Sequence, residues 1–415
     1  MDPVNRRNKN FCDFTDETLF DFFGNLDLYL FMFDSMTNQN MLSLNDFITN
    51  TIHVRSMQLY KISIIDFHGF IVLNVWIEDK ICDKIISKRG ESMSDYKEIS
   101  LHDIKGIQIG HAHDEEHATG CTVILTKKGA PCGVDVRGGG PASRETELLN
   151  PTKSNDGIHG LLLSGGSAFG LDAAGGVMRY LEERKIGVKV GSSYVPIVPA
   201  SCIFDLGCVD DSVRPNSDMG YLACVDSERN LERNGNVGAG MGATVGKMHG
   251  DGFAMKSGLG CYAVQVGRLQ VGAIVVVNAI GDVFELDSNR QLAGLLNKKK
   301  DAMISSEEEA VKLLQLKSYF TSNTTIGAII TNANLDKTQM NKVAALASNG
   351  IARTIHPVNL SMDGDSIYAM SVGKVKSNSD VVGTLGAYVL GKAINRAVLE
   401  AESKYGYKCA KDFFE

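Results

Sequence analysis

The stretch Ser322-Asn323-Thr324-Thr325-Ile326-Gly327-Ala328-Ile329-Ile330-Thr331-Asn332 constrains this chain most. Small polar residues run straight into a β-branched apolar run, the pattern of a loop feeding a buried strand. Val271-Gly272-Ala273-Ile274-Val275-Val276-Val277-Asn278 has the same character and ends on a polar amide. Neither run alternates, so each strand must be covered on both faces. Strand–turn–helix units and hairpins neighbour one another along the chain, which predicts an α/β fold with two helix layers around a mixed sheet core.

Gly160–Ser164 reads as a strand, Gly165-Gly166-Ser167 as a glycine-rich turn, and Leu171–Arg184 as a helix. Such a turn presents backbone N–H groups to an anion or oxyanion; a plain tight connection fits the same residues. Short strands are expected at Ile104–Ile109, Thr122–Thr126 and Gly133–Val136, with a hairpin turn at Lys127-Lys128-Gly129. Helical spacing begins near Ala142. Residues 286–321 read as a charged surface excursion with a short helix at Ala310–Leu316, leaving an accessible approach to Asn323. Downstream, Asp336 caps a helix over Lys337–Ala352. A strand follows at Ile367–Val372. The last helix, Asp380–Ser403, carries small residues at Gly383, Gly386, Ala387 and Gly391 for close packing.

Composition sets limits. Gly is frequent at 43 residues and Pro rare at 8, which favours tight turns within ordered structure over linkers. A net charge of −7 argues against nucleic acid as a partner. The nine cysteines form no C-x-x-C pair and suit a reducing, cytoplasmic setting. Acidic Asp13, Asp16 and Glu17 stand where a secretory leader needs an apolar run. The most apolar window, Met57–Ile77, is broken by Lys61, Asp66 and His68, which argues against a membrane span. Residues 1–92 differ in character, being poor in Gly and rich in Phe, Asn, Asp and Ile. They read as an N-terminal extension, either an accessory domain or sequence upstream of a true start at Met93, with a second domain over 93–415.

The chemistry centres on Thr324. If the Asn323–Thr324 bond is cut, the new N-terminal residue carries a hydroxyl beside its own α-amine, a nucleophile with a built-in base. That amine has a reference pKa of ~7.7–8.0, so a neutral fraction exists near pH 7. Other motifs yield less. Gly235–Lys247 fails as a phosphate loop, because Met241 replaces the first glycine and Met248 the Ser/Thr. His111, His113 and His117 lack a fourth ligand, so no metal is expected, and no cofactor is called for. Asn323-Thr324-Thr325 also fits a glycosylation sequon, which a chain without a secretory leader does not use.

Seven motifs occur in order: Gly-Ile-Gln-Ile-Gly-His at 106–111, Asp135-Val136-Arg137-Gly138-Gly139, Ser164-Gly165-Gly166-Ser167, Val198-Pro199-Ala200, Gly240–Lys247, Asn323-Thr324-Thr325 and Met362-Asp363-Gly364-Asp365. Together they resemble the L-aminopeptidase/D-esterase family, whose relatives include β-peptidyl aminopeptidases and the nylon-oligomer endohydrolase. The likeness covers about 104–400. It implies an αββα sandwich of the ornithine-acetyltransferase-like, N-terminal-nucleophile type. It also implies self-cleavage into an α chain (93–323) and a β chain (324–415), joined in a homo-oligomer, a tetramer of αβ units, that acts on small peptides, amides or esters. Residue by residue, Thr324 matches the nucleophile and Asn323 the residue before the cut. Asn278 matches an oxyanion-site amide, and Lys247 a lysine near the nucleophile. Asp363 and Asp365 match groups that orient the nucleophile and its amine. Gly165, Gly166 and Phe169 fall at the substrate site, Phe169 where relatives often carry Tyr. Acetyl transfer to ornithine or glutamate on the same fold is the second enzyme reading, though Ala-Thr-Met-Leu is absent at the nucleophile. A scaffold that never cuts is the third reading.

Overall fold

The computed structural model describes residues 61–67, 70–76, 96–313 and 323–414. The chain divides into two compact units, Met1–Ser94 and Asp95–Glu415. In the first, the described residues form one antiparallel hairpin, β1 (Lys61–Phe67) with β2 (Phe70–Trp76).

The principal strands of the second unit are β3 (Lys97–Ile99), β4 (Gln108–Asp114), β5 (Thr119–Ala130), β6 (Cys132–Val136), β7 (Ala142–Arg144), β8 (Ile158–Ser164), β9 (Ala200–Cys202), β10 (Leu259–Val266), β11 (Leu269–Asn278), β12 (Thr324–Ala333) and β13 (Ser366–Val375). Its principal helices are α1 (Ala173–Glu183), α2 (Ser217–Asp226), α3 (Ser306–Leu313), α4 (Lys337–Ala347) and α5 (Ser379–Leu399). One sheet has the order β4-β5-β8-β9-β7, the other β3-β10-β11-β12-β13-β6. Most neighbours are antiparallel, but β12 and β13 run parallel, as do β8 and β9.

Strand periodicity explains the layering, because successive side chains point to opposite faces. Ile124, Leu161 and Leu163 of the first sheet meet Ile274, Val276, Ile326 and Ile330 of the second in one shared core. The intervening residues Val123, Leu125 and Leu162 face away, against Val177 and Leu181 of α1 and Ala223 of α2. On the far side, Val275 and Ile329 pack under Met340 and Val343 of α4 and Val389 and Leu390 of α5. The result is the expected αββα sandwich. A Cβ on Gly383 would lie 2.5 Å from a Leu346 side-chain atom, so this glycine sets how closely α5 approaches α4. Asp336 caps α4 as expected, accepting from Gln339 N–H in a capping box.

Three expectations need correction. No hairpin forms at Lys127-Lys128-Gly129. β5 continues through these residues as an irregular strand, its register against β8 shifting between Leu125 and Ala130. After a bend at Gly129 (φ +74°), the chain crosses to the other sheet, where β6 pairs with β13. Ala142 begins strand β7, paired with β9, and not a helix; Glu145 at φ +59° ends it, and a single 3-10 turn follows over Thr146–Leu149. The strand placed at Ile104–Ile109 begins at Gln108, after a 3-10 turn at Leu101–Asp103. The helix expected at Ala310–Leu316 is described as α3, and its remainder lies outside the described residues, as does the approach to Asn323 over 314–322.

Candidate active site

Thr324 is the first residue of β12, the fourth strand of the six-stranded sheet. Its neighbours on that face are Ile326, Ala328 and Ile330, so its side chain emerges between the two sheets. It is 5% exposed. The Thr324 hydroxyl donates to the Asn323 carbonyl oxygen at 2.5 Å. The group with a nucleophile's chemistry therefore already lies against the carbonyl of the bond that precedes it.

Asn278 ends β11 directly opposite Thr324 in the antiparallel register. Its position follows from parity, since Ile274 and Val276 share its face. The side chain is fully buried; its Nδ2 donates to Phe204 O at 2.8 Å and its Oδ1 accepts from Thr244 N–H at 3.0 Å. Lys247 closes the same corner, donating from Nζ to the Asn278 carbonyl at 2.9 Å. Burial pulls Lys247 down to about 8, against the opposing pull of Asp251, Cys208, Asp363 and Asp205.

The acidic pair sits on the other flank. Asn323 bridges to Asp363 in parallel register, just ahead of the pairing of Ile326 with Ser366 in β13. Asp365 Oδ1 accepts from Thr325 N–H at 2.5 Å and Oδ2 from Asn359 N–H at 3.0 Å. Burial, reinforced by the Asp363 charge, pushes Asp365 up to about 7 against those two donors. Asp363 Oδ2 accepts from Leu360 N–H at 2.7 Å, while its buried Oδ1 has no hydrogen-bond partner among the described residues. Burial also raises Asp363, with the Leu360 N–H and the Lys247 charge acting the other way.

The structure thus brings Asn323, Thr324, Asn278, Lys247, Asp363 and Asp365 to one end of β11, β12 and β13. Of the two readings of the glycine-rich turn, the structure shows the tight connection. The N–H groups of Gly165, Gly166 and Ser167 are not presented to a ligand; they donate to Gly120 O, Asp205 Oδ1 and Ile203 O. The turn does cradle an anion, but the anion is the protein's own Asp205. Phe169 stands on the following 3-10 turn, 58% exposed, with the Arg214 guanidinium 4.0 Å above its ring.

A backbone strap and two buried charged residues also support the site. Arg137, Gly138 and Gly140 donate backbone N–H groups to Asp365 O, Asp365 O and Asp363 O, and Gly139 donates to Leu360 O. This strap fixes the 360–365 loop from behind. Asp205 also accepts from Thr119 Oγ1 and is raised to about 6, chiefly by burial. Lys256 is fully buried and donates from Nζ to Gly240 O, Ala243 O and Ser257 O, which pins the segment leading to Thr244 and Lys247. No local pattern distinguishes Asp205 or Lys256. Only the density of glycine around them marks segments that pack backbone to backbone. Among the described residues no cluster of His, Cys, Asp or Glu is suited to hold a metal ion.

Two facing sheets between helix layers, with a hydroxyl residue at the head of a central strand, are the architecture of the N-terminal-nucleophile (Ntn) hydrolase fold. A solved L-aminopeptidase D-Ala-esterase/amidase from Ochrobactrum anthropi, described as a variant of the Ntn hydrolase fold, is similar at TM-score 0.54 and 17% identity, over 74% of this chain and 88% of that one. A Burkholderia sp. beta-aminopeptidase is similar at TM-score 0.51 and 18% identity, over 73% and 86%. Residues 100–411 match Peptidase family S58, and the chain belongs to that family. Among curated relatives, an uncharacterized aminopeptidase of Mycobacterium leprae (strain TN) is 38% identical over 74% of this chain and 92% of its own. A 6-aminohexanoate-oligomer endohydrolase of Kocuria sp. (strain KY2) is 27% identical over 72% and 86%. Membership of that peptidase family makes the protein a hydrolase with peptidase activity; acetyl transfer is not favoured.

Proposed function

We propose that the chain cuts itself between Asn323 and Thr324, and that Thr324 then removes N-terminal residues from small peptides, amides or esters. The observation that carries this reading is the Thr324 hydroxyl resting on the Asn323 carbonyl at the head of a buried strand. Oγ1 attacks the Asn323 carbonyl carbon, the C–N bond breaks, and the hydroxyl proton ends on the Thr324 nitrogen. The resulting ester is hydrolysed by water, which releases the Asn323 carboxylate and frees both hydroxyl and α-amine. In turnover the amine takes the hydroxyl proton as Oγ1 attacks the substrate carbonyl. An acyl-enzyme forms, and water resolves it.

The remaining groups take roles by position. Asn278 supplies a second Nδ2 hydrogen to the substrate oxyanion, and Lys247 holds the Asn278 main chain. Asp365 fixes the peptide after the nucleophile. Asp363 turns its unshared oxygen toward a cationic amine, the enzyme's own or the substrate's. Phe169 offers one ring face to the substrate. Unpaired cysteines in the described residues suit a reducing, cytoplasmic setting. The family resemblance supports an oligomer of αβ units.

Intact-mass measurement of wild type beside Thr324→Ala tests the reading. Two chains ending at Asn323 and starting at Thr324 are expected for wild type, and one uncut, inactive chain for the variant. Hydrolysis of an aminoacyl anilide by an uncut wild-type chain would overturn it.

A further inference from the structure

The peptide N–H of Gly364 donates to the Asn323 carbonyl oxygen at 2.9 Å. In form this is one rung of a parallel ladder, continuous with the β12–β13 pairing and with the Asn323–Asp363 bridge. Its acceptor is the carbonyl of the bond that the reading above has Thr324 attack. That carbonyl points to the β13 flank, whereas Asn278 stands on the opposite flank, across from Thr324 on β11.

Several features aim this donor. The strap Arg137–Gly140 holds Asp363 O and Asp365 O, the carbonyls on either side of Gly364. A Cβ on Gly138 would lie 2.2 Å from Asp363 O and one on Gly139 2.4 Å from Ser361 O, so only glycine lets the strap approach this closely. A Cβ on Gly364 would lie 2.9 Å from Thr324 Oγ1 and 3.1 Å from Thr324 Cγ2. The 364 position is therefore in direct contact with the nucleophile, and its N–H is held rigid from behind.

We infer that Thr324 is served by two oxyanion donors on opposite strands: the Gly364 N–H for self-cleavage and the Asn278 amide for turnover. In the self-cleavage step negative charge builds on the Asn323 oxygen as Oγ1 bonds to its carbon. The Gly364 N–H is already in place to stabilise that charge, with no reorganisation needed. Once the bond is cut, the Asn323 carboxylate no longer continues into β12, and the Gly364 donor has done its part. The inference rests on the self-cleavage reading, and the two fail separately: a wild-type chain that never cuts itself sinks the reading, whereas the Gly364 variants test only the donor.

The test compares Gly364→Pro with Gly364→Ala during synthesis in a cell-free system, following the cut by denaturing gel. Both variants add a Cβ beside Thr324, but only proline removes the N–H, setting its ring Cδ toward the Asn323 oxygen in that hydrogen's place. Gly364→Ala is expected to cut more slowly than wild type. Gly364→Pro is expected to cut at least about a hundredfold more slowly than Gly364→Ala, the range typical for loss of one oxyanion donor. Thermal unfolding confirms that each variant is folded. A folded Gly364→Pro that cuts at the Gly364→Ala rate overturns the inference. A second arm holds even if the proline variant does not fold. Asn278→Ala is expected to lose peptide turnover yet cut itself within about tenfold of the wild-type rate. If a variant that thermal unfolding shows to be folded stops cutting altogether, the donor for self-cleavage lies on β11 and the inference is wrong.

Discussion

Two glycine-rich turns in this protein look alike in sequence and do different work. Ser164–Ser167 closes its N–H groups on the Asp205 carboxylate and on backbone carbonyls, so its charge-binding capacity is spent inside the fold. Arg137–Gly140 closes its N–H groups on the backbone of residues 360, 363 and 365 and leaves the Asp363 side chain with one unpartnered oxygen. The first turn consumes an acid; the second positions acids without consuming them. A run of glycines reports that two backbones approach closely. What the approach achieves depends on whether side chain or main chain is gripped.

The sharpest way to break this comparison is to add one methyl to each turn. Gly138→Ala would drive Cβ to 2.2 Å from Asp363 O and 2.5 Å from Asp365 N, shifting the acidic loop beside Thr324. A displacement of ~1 Å there is expected to cost about 100-fold in both self-cleavage and peptide turnover, read by gel and by anilide assay. Gly165→Ala would place Cβ 2.1 Å from Asp205 Oδ2. It is expected to lose about 1–3 kcal/mol in denaturant unfolding while still cutting itself. Equal loss of activity in both variants would show that the two turns do the same work.

A smaller effect concerns the two carboxylates themselves. Asp205 is raised to about 6 and Asp365 to about 7, each chiefly by burial. The folded state therefore keeps these protons to higher pH than the unfolded chain. Their contribution to stability is fully present below about pH 4 and is lost as pH rises through 6 and 7. In the uncut Thr324→Ala background, Asp365→Asn is expected to flatten the fall in stability between pH 5 and pH 8, measured by urea unfolding at each pH. An unchanged slope would show that Asp365 is not the group that titrates. The smallest expected effect is at Phe169. Its exposed ring is held from one side by Arg214, and Phe169→Ala should change KM by a few fold and leave self-cleavage untouched.

Much of this arrangement was legible in the chain. The unbroken apolar runs of β11 and β12 required cover on both faces, and the sandwich supplies it. Asn278 ending one run and Thr324 opening the other had no local reason to meet; antiparallel register places them opposite each other. The failures share a cause. Lys127-Lys128-Gly129 has the composition of a hairpin turn, and nothing nearby tells a turn back from a crossing between sheets. Ala142 has helical spacing, but its pairing partner Cys202 lies far along the chain. Asp205 and Lys256 gave no signal, because a buried charge is identified by its partners, and those come from segments that only the fold assembles.

The order of the six-stranded sheet carries one more implication. Of its strands, β12 and β13 follow residue 323, and they lie between β11 and β6, which precede it. A chain severed at that point would yield two pieces threaded through each other's hydrogen-bonded rows, with neither able to leave without dismantling the interior. If the proposed cut is made, it is one-way: the halves would be born joined, and a mixture of separately made halves would have no easy route back to the same object.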